Sequence, residues 1–318
     1  MPKISVVMSV YNEPVEWMKQ AIDSILNQTF SDFEFIIIND KPDRVENKQL
    51  LDEYASKDPR IVIITNEQNI GLTKSLNKGL LIAQGEYIAR MDADDISFND
   101  RFEKQVRLMD ERPEVSVCGG WITLFGDKSG TLKYPKSNST ICLFIDSPFA
   151  HPSVMIRHCF LRDNSLLYNE SCETSQDFDL WVTMFGLGAQ FYNLQEPILK
   201  YRYSEIQIMK SKGQIQIATG RKIRHKALKL YFQKEGLDYQ IPDEWTLEQM
   251  HLVQSHLSSY MNKEQNIRFI FYSFISFKQN ALWKMIQLIF TGAIFKMQIL
   301  DSLRVLCFSI QKRELERY

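Results

Sequence analysis

The chain has 318 residues, 44% hydrophobic and 24% charged, with 13 Gly and 10 Pro. This profile excludes a disordered or low-complexity chain and leaves room for one large domain with an appendage, or for two domains. The net charge of −1 hides an asymmetry: from Lys200 onward 19 Lys and Arg face 10 Asp and Glu, a net +9, whereas the preceding residues hold 19 against 29, a net −10.

Ile4 to Val10 is a near-continuous apolar run, as expected of a strand covered on both faces. It is too short for a signal-peptide core, and no stretch of the chain reaches the length of a membrane span; the longest candidate, Met285 to Phe295, contains Gln287 and is flanked by Lys284 and Lys296. After Asn12-Glu13-Pro14 the spacing of Trp17, Ala21, Ile22, Ile25 and Leu26 predicts a helix. A second strand, "FEFIII", runs into the polar turn "NDKPD"; Leu50, Leu51 and Tyr54 mark a second helix and Ile61 to Ile64 a third strand. "NIGLTKSLNKGLLIAQG" is helical with a stop at Gly85, and Tyr87 to Met91 forms a fourth strand. Strand and helix alternating four times predict an α/β fold, a doubly wound and mostly parallel sheet of Rossmann type. Ligands of such sheets bind beyond the carboxyl ends of the strands. Tyr11-Asn12-Glu13, Asn39-Asp40 and Asp92 to Asp95 all follow strand ends and should converge.

The cluster "ARMDADDIS" closes the fourth strand. Adjacent carboxylates stay ionised near neutral pH when a positive charge lies between them. A hard cation such as Mg2+ or Mn2+ suits them, since it binds one or two carboxylates and fills its shell with water and phosphates. In Asp92-Ala93-Asp94 the outer side chains lean to one side of an extended chain. Asp95 reads as the structural member. The plain alternative is that Asp94 and Asp95 only cap a helix starting near Ser97-Phe98.

"ISVVMSVYNEP", "AIDSILNQTFSDFEFIIIND", "NIGLTKSLNKGLLIAQGEYIARMDADDIS", "RFEKQVRLMDERPEVSVCGG" and "SQDFDLW" together resemble the family 2 glycosyltransferases, inverting nucleotide-sugar-dependent enzymes of the GT-A fold. The match is collinear over about the first 200 residues, at the family's motif order and spacing. The resemblance implies a D-x-D at Asp92-Ala93-Asp94, with Asp92 near the ribose and Asp94 on a Mn2+ or Mg2+ ion that bridges the diphosphate. It implies that Asp40 meets the base and that Val10, Tyr11, Asn12 and Glu13 line the same pocket. Lys74 and Asn77 match family positions facing the nucleotide. One departure is the turn "NDKPDRVEN", where Lys41-Pro42 replaces the family's glycine-serine and bears on base identity; UDP is favoured on family frequency.

Glycosyl transfer also needs a carboxylate that deprotonates the acceptor hydroxyl. In "ETSQDFDLWVTMFGLG" the resemblance makes Asp177 that base, Gln176 standing where the family has glutamate; helix capping is the alternative. Asp179 reads as structural. "FAHPSVMIRHCF" resembles a family segment lining the acceptor side, implicating His151, with Trp181 of "SQDFDLW" and Arg202 set on the same side; Tyr201-Arg202 resembles the family's Y-R near the end of the catalytic domain, where Arg202 would contact phosphate. A packed loop histidine and a surface salt bridge are the respective alternatives. The chain has no G-x-G-x-x-G, no P-loop and no G-x-S-x-G elbow, and its five histidines lack zinc-ligand spacing. The five cysteines, an odd number without metal-ligand spacing, read as reduced thiols of a cytosolic protein.

Beyond Ser204 the pattern turns helical and basic. "GRKIRHKALKLYF" is an amphipathic stretch, and residues 268–310 are rich in Phe, Ile, Leu and Lys. These helices either pack on the catalytic domain or a second copy (a homodimer), or lie in an anionic membrane interface with Trp283 as an anchor. No nucleic-acid readout module is present.

The expectation is therefore a catalytic domain over 1–204, with a nucleotide-binding half over 1–95 and an acceptor half over 96–204, and a helical region over 205–318. It is expected to move sugar from a nucleotide sugar to a saccharide or lipid-linked acceptor in capsule, exopolysaccharide or lipopolysaccharide synthesis. Its expected place is the cytoplasm, peripheral on the inner face of the membrane. A sugar nucleotidyltransferase would share the aspartates but would also carry a glycine-rich basic loop after the first strand, which "SVYNEP" is not. An inactive sugar-binding scaffold has only Gln176 in its favour.

Overall fold

A computed structural model of the chain describes residues 1–137, 142–172, 174–204, 213–234 and 236. Glu173, Trp283, Cys307 and the apolar tail over 268–310 lie outside the described residues. The chain divides into two compact units, and Met1–Asn138 with Pro148–Ile208 form the first.

In the first unit, β1 (Ile4–Val10) sits centrally because its side chains are apolar on both faces and nearly all buried. It pairs in parallel with β2 (Phe33–Asn39) on one side and β4 (Tyr87–Asp92) on the other, in register from Ile4↔Phe33 and Ile4↔Tyr87. Strand β3 (Ile61–Thr65) adds beyond β2, also in parallel. The helices between them are α1 (Val15–Leu26), α2 (Val45–Lys57) and α3 (Leu72–Ile82). Helix α1 buries Met18, Ala21, Ile22 and Ile25, the stripe its spacing predicts. The chain leaves β1 toward β2 and β3, then returns through β4 on the opposite side of β1. The carboxyl ends of β1 and β4 therefore flank a topological switch point, where open α/β sheets form a binding crevice.

Beyond β4 the sheet is mixed, in the order β3-β2-β1-β4-β8-β6-β9-β5. Strand β8 (Met155–Arg157) runs antiparallel to β4 and to β6 (Val115–Gly126), and β7 (Gly130–Leu132) pairs with β6. The 14-residue β9 (Gln190–Tyr203) lies parallel to β6 with register shifts at Gly120 and Trp121. It then meets β5 (Ile96–Ser97) in an antiparallel pair, Ile96↔Lys200. That last pair brings Tyr201 and Arg202 beside the end of β4. Helix α4 (Arg101–Glu111) covers this part through Phe102, Val106 and Met109, and α6 (His158–Asp163) and α7 (Gln176–Gly186) complete the unit.

The second unit includes the short α5 (Cys142–Ile145) and α8 (Gly213–Lys234), which carries the basic stretch. Helix α8 buries Ile223, Ala227, Leu228 and Phe232 and exposes Lys222 and Lys229, and Phe144 meets Tyr231 edge-on at 5.3 Å. Among the described residues no helix is long and apolar enough to cross a membrane.

Candidate active site

The loop after β1 lines one wall of the switch-point crevice. Tyr11 and Asn12 are exposed, and the N–H of Tyr11 donates to Glu13 Oε2 at 2.7 Å. From α2, Asn47 donates to the Tyr11 carbonyl at 2.9 Å, and Arg44 donates to the Glu13 carbonyl at 2.7 Å. Burial holds the Glu13 carboxyl above its usual range, and the charge of Asp92 adds to this from the β4 side.

Asp40, at the end of β2, is 2% exposed and organises the turn into α3. Its Oδ1 accepts from Asn66 Nδ2 at 2.8 Å and from the N–H of Ile70 at 2.9 Å; its Oδ2 accepts from the N–H of Gly71 at 2.9 Å. Gly71 has φ +86°, a conformation few side chains adopt, which lets its N–H turn toward Asp40. A carboxylate offers about four acceptor positions. Three are filled from within the chain, leaving one on Oδ2 for a ligand.

At the end of β4 the carboxylates of Asp92, Asp94 and Asp95 each offer an oxygen within 4.8 Å of the others. Arg90, buried in β4, ion-pairs with Asp92 Oδ1. Asp95 is 1% exposed: its Oδ1 accepts from the N–H of Arg202 at 2.8 Å, and its Oδ2 has no hydrogen-bond partner. Burial, then the charges of Asp92 and Asp94, push its carboxyl well above the usual range. The Tyr201 hydroxyl faces the same cluster, raised by burial and then by Asp92, Asp95 and Asp94. Hard oxygen donors, a surplus of negative charge and a buried oxygen without a partner fit Mg2+ or Mn2+.

Across the crevice, His151 opens the 3-10 turn His151–Ser153 before β8, and its Nε2 lies 2.8 Å from the Tyr168 hydroxyl. Burial, and then the charge of Arg90, hold the imidazole well below its usual pKa. Burial pushes the Tyr168 hydroxyl up; the charge of Arg90 opposes this, while those of Asp177 and Asp92 add to it. One phenol thus senses both the D-x-D and the proposed base. Asp177 is the second residue of α7; the position before the helix is Ser175, in the left-handed region at φ 59°, and it makes no side-chain cap. Asp179, further along α7, accepts from Asn169 at 3.3 Å.

Four sequence expectations are corrected. The helix after the D-x-D starts at Arg101, beyond strand β5, so neither Asp94 nor Asp95 stands at its start. Trp181 does not face an acceptor: it is fully buried behind His151 and Phe149, because α7 turns its apolar stripe to the core. Asn77 is 4% exposed and clamps Tyr168 instead of facing a nucleotide, its Nδ2 donating to the Tyr168 carbonyl and its Oδ1 accepting from the Tyr168 N–H, both at 2.9 Å. Arg202 lies beside the D-x-D. Its Nε donates to the Asp94 carbonyl at 2.8 Å, its Nη2 donates to Gln20 at 2.7 Å, and its guanidinium sits over Trp17 and Phe125. Lys74 is exposed on the first turn of α3, and Ala93 is buried between the outer aspartates of the motif.

Arg90 and Tyr168 were not singled out from the sequence. Only Arg90 left a signal there, a cation inside a strand predicted to be covered on both faces, which requires a counter-charge.

The description "Glycosyl transferase family 2" matches residues 5–171 of the chain. An uncharacterized glycosyltransferase of Methanocaldococcus jannaschii is 38% identical over 208 residues, 63% of this chain and 71% of that protein. The Escherichia coli UDP-Gal:alpha-D-GlcNAc-diphosphoundecaprenol beta-1,3-galactosyltransferase is 30% identical over 229 residues, 68% of this chain and 80% of its own. Among solved structures, the Pyrobaculum calidifontis mannosyltransferase in complex with GDP-Man and Mn2+ superposes with a TM-score of 0.53. That likeness covers all of this chain and 81% of the other at 15% identity, which speaks for the fold alone.

Proposed function

This chain belongs to glycosyl transferase family 2 and has the GT-A fold, and from that premise we propose that it is an inverting, divalent-cation-dependent transferase acting on a nucleotide sugar. A UDP-sugar is the favoured donor, and the acceptor is a saccharide or lipid-linked saccharide in the synthesis of a bacterial surface polysaccharide. The observation that carries this reading is the meeting of Asp92, Asp94 and Asp95 at the switch point, with the charges of both Asp92 and Asp177 acting on the Tyr168 hydroxyl.

Asp40 accepts from the base through its remaining position, and the main chain of Val10 to Asn12 with Glu13 forms the pocket wall. Asp92, fixed by Arg90, meets the ribose. Asp94, with the neighbouring carboxylates, would hold Mn2+ or Mg2+, which when bound supplies positive charge to the departing diphosphate. Asp177 takes the proton of the acceptor hydroxyl as that oxygen bonds to the anomeric carbon and the bond to the diphosphate breaks. Attack opposite the leaving group inverts that carbon. His151, neutral, holds the Tyr168 hydroxyl and so the wall between the two halves. The lysines exposed on α8 support peripheral association with an anionic membrane face.

A thermal-shift screen of UDP-, GDP- and dTDP-sugars with and without Mn2+ tests the reading. A rise in Tm for one nucleotide class that needs Mn2+ supports it, and an equal rise in EDTA refutes cation dependence. Pelleting of the full chain with anionic but not neutral vesicles is expected for the peripheral association.

A further inference from the structure

Asp95 was read from the sequence as the structural aspartate, and its bond to the Arg202 N–H bears out half of that role. The other half is unexplained by structure alone. An asparagine would satisfy the Arg202 N–H equally well without burying a charge. The chain instead keeps a carboxylate, 1% exposed, that offers an oxygen to a cluster with two others, and its Oδ2 is buried and lacks any hydrogen-bond partner. Such an oxygen carries an unrecovered desolvation cost unless a ligand meets it. The groups around it are unequal: Arg90 is committed to Asp92 Oδ1, the Arg202 guanidinium is held by the Asp94 carbonyl, Gln20 and two rings, and Tyr201 contributes a neutral phenol. Among the described residues no Lys or Arg forms an ion pair with Asp95, although the charge of Arg90 reaches it.

Resting on the cation-dependent reading above, we propose that Asp95 is a carboxylate ligand of the same divalent cation as Asp94, and that it fastens the loaded site to β9 through Arg202. Octahedral Mg2+ holds its oxygens at about 2.0–2.1 Å, which puts neighbouring ligand atoms roughly 3 Å apart. Closing a cluster with a 4.8 Å span onto a cation therefore draws Asp95 inward, and its other oxygen carries the Arg202 main chain with it. Cation loading is in this way reported to β9, the strand beside the end of β4.

The test uses the full chain and Mn2+ alone. Free Mn2+ is followed by electron paramagnetic resonance for wild type, Asp94→Asn and Asp95→Asn, and each apo protein is melted in EDTA. Asp95→Asn keeps an oxygen for the Arg202 N–H and removes the charge. Its Mn2+ affinity is expected to fall about tenfold to a hundredfold, as for Asp94→Asn, while its apo Tm holds or rises because like charges are relieved. Wild-type Mn2+ affinity in Asp95→Asn, with Asp94→Asn impaired, overturns the inference and leaves the cation reading standing. No Mn2+ binding by wild type sinks both. Hydrogen exchange on wild type needs no variant: the β9 segment around Tyr201–Arg202 should exchange more slowly with Mn2+, and unchanged exchange there also overturns the coupling.

Discussion

Tyr168 and His151 meet at 2.8 Å, phenol to Nε2, in a stack that continues edge-on from the imidazole to the indole of Trp181. Burial and the charge of Arg90 hold the imidazole well below its usual pKa, and which partner donates in this bond depends on the tautomer. A histidine depressed in the folded state takes up a proton first in the unfolded chain. The stability it confers is complete above its unfolded pKa of about 6.5 and is lost as pH falls toward the folded value. Wild type should therefore lose stability relative to His151→Gln between pH 7.5 and 5.5, at no more than about 1.4 kcal/mol per pH unit. Glutamine keeps an acceptor for Tyr168, and the raised carboxyls of Glu13 and Asp95, which act with the opposite sign, are common to both proteins. Urea unfolding of the pair at the two pH values measures the difference; parallel slopes would contradict a neutral imidazole.

Arg90 supplies the positive charge inside the acidic end of β4. Arg90→Met leaves Asp92 without its partner and three carboxylates facing one another. The expected loss is about 3 kcal/mol, at the low end for a buried pair because Asp92 is partly exposed. Added Mn2+ should restore more stability to this variant than it adds to wild type, since the cation replaces the missing charge. Denaturation with and without Mn2+ reads this directly, and equal Mn2+ effects on both proteins would refute it.

Asn77 links α3 to a segment 91 residues away through two bonds to the Tyr168 main chain and a third to Glu170 at 3.1 Å. Asn77→Ala leaves a buried N–H and a buried carbonyl unsatisfied, at about 1–3 kcal/mol each. Protease cleavage between α6 and α7 should become faster in this variant at temperatures well below its Tm. Unchanged cleavage would show that the segment is held by other contacts.

What could be read in advance follows from how local each feature is. Strands β1, β2 and β4 were legible because strands covered on both faces leave near-continuous apolar runs, β3 because its β-branched run Ile61 to Ile64 is unbroken though partly exposed, and the polar residues ending the runs of β1, β2 and β4 marked the crevice. Asp40 and the D-x-D sit at such ends. The parallel pairing of β9 with β6 was not legible: the pairing joins distant residues and leaves no periodic trace, so Arg202 was placed on the acceptor side. Asn77 was misread for a related reason. A polar residue on a helix near a binding loop looks like a ligand contact until a distant main-chain segment is seen to use its amide. Trp181 shows a third limit, since an aromatic residue one turn into a helix fits the core and a sugar platform equally well.

Asp177 carries the sharpest prediction, because the base proposed there must act on chemistry without holding the donor. It lies on the first turn of α7, its charge and that of Asp92 both act on the Tyr168 hydroxyl, and it does not occupy the capping position. Asp177→Asn preserves shape and removes the proton acceptor. Transfer should fall about a hundredfold to ten-thousandfold in kcat, the usual share of general-base catalysis. Nucleotide-sugar binding measured by calorimetry, and Tm, should stay near wild type, since the proposed donor contacts belong to residues at the ends of β1, β2 and β4. A variant that binds the donor and still transfers at the wild-type rate would assign the base elsewhere. A variant that loses donor binding would move Asp177 to the nucleotide side of the crevice.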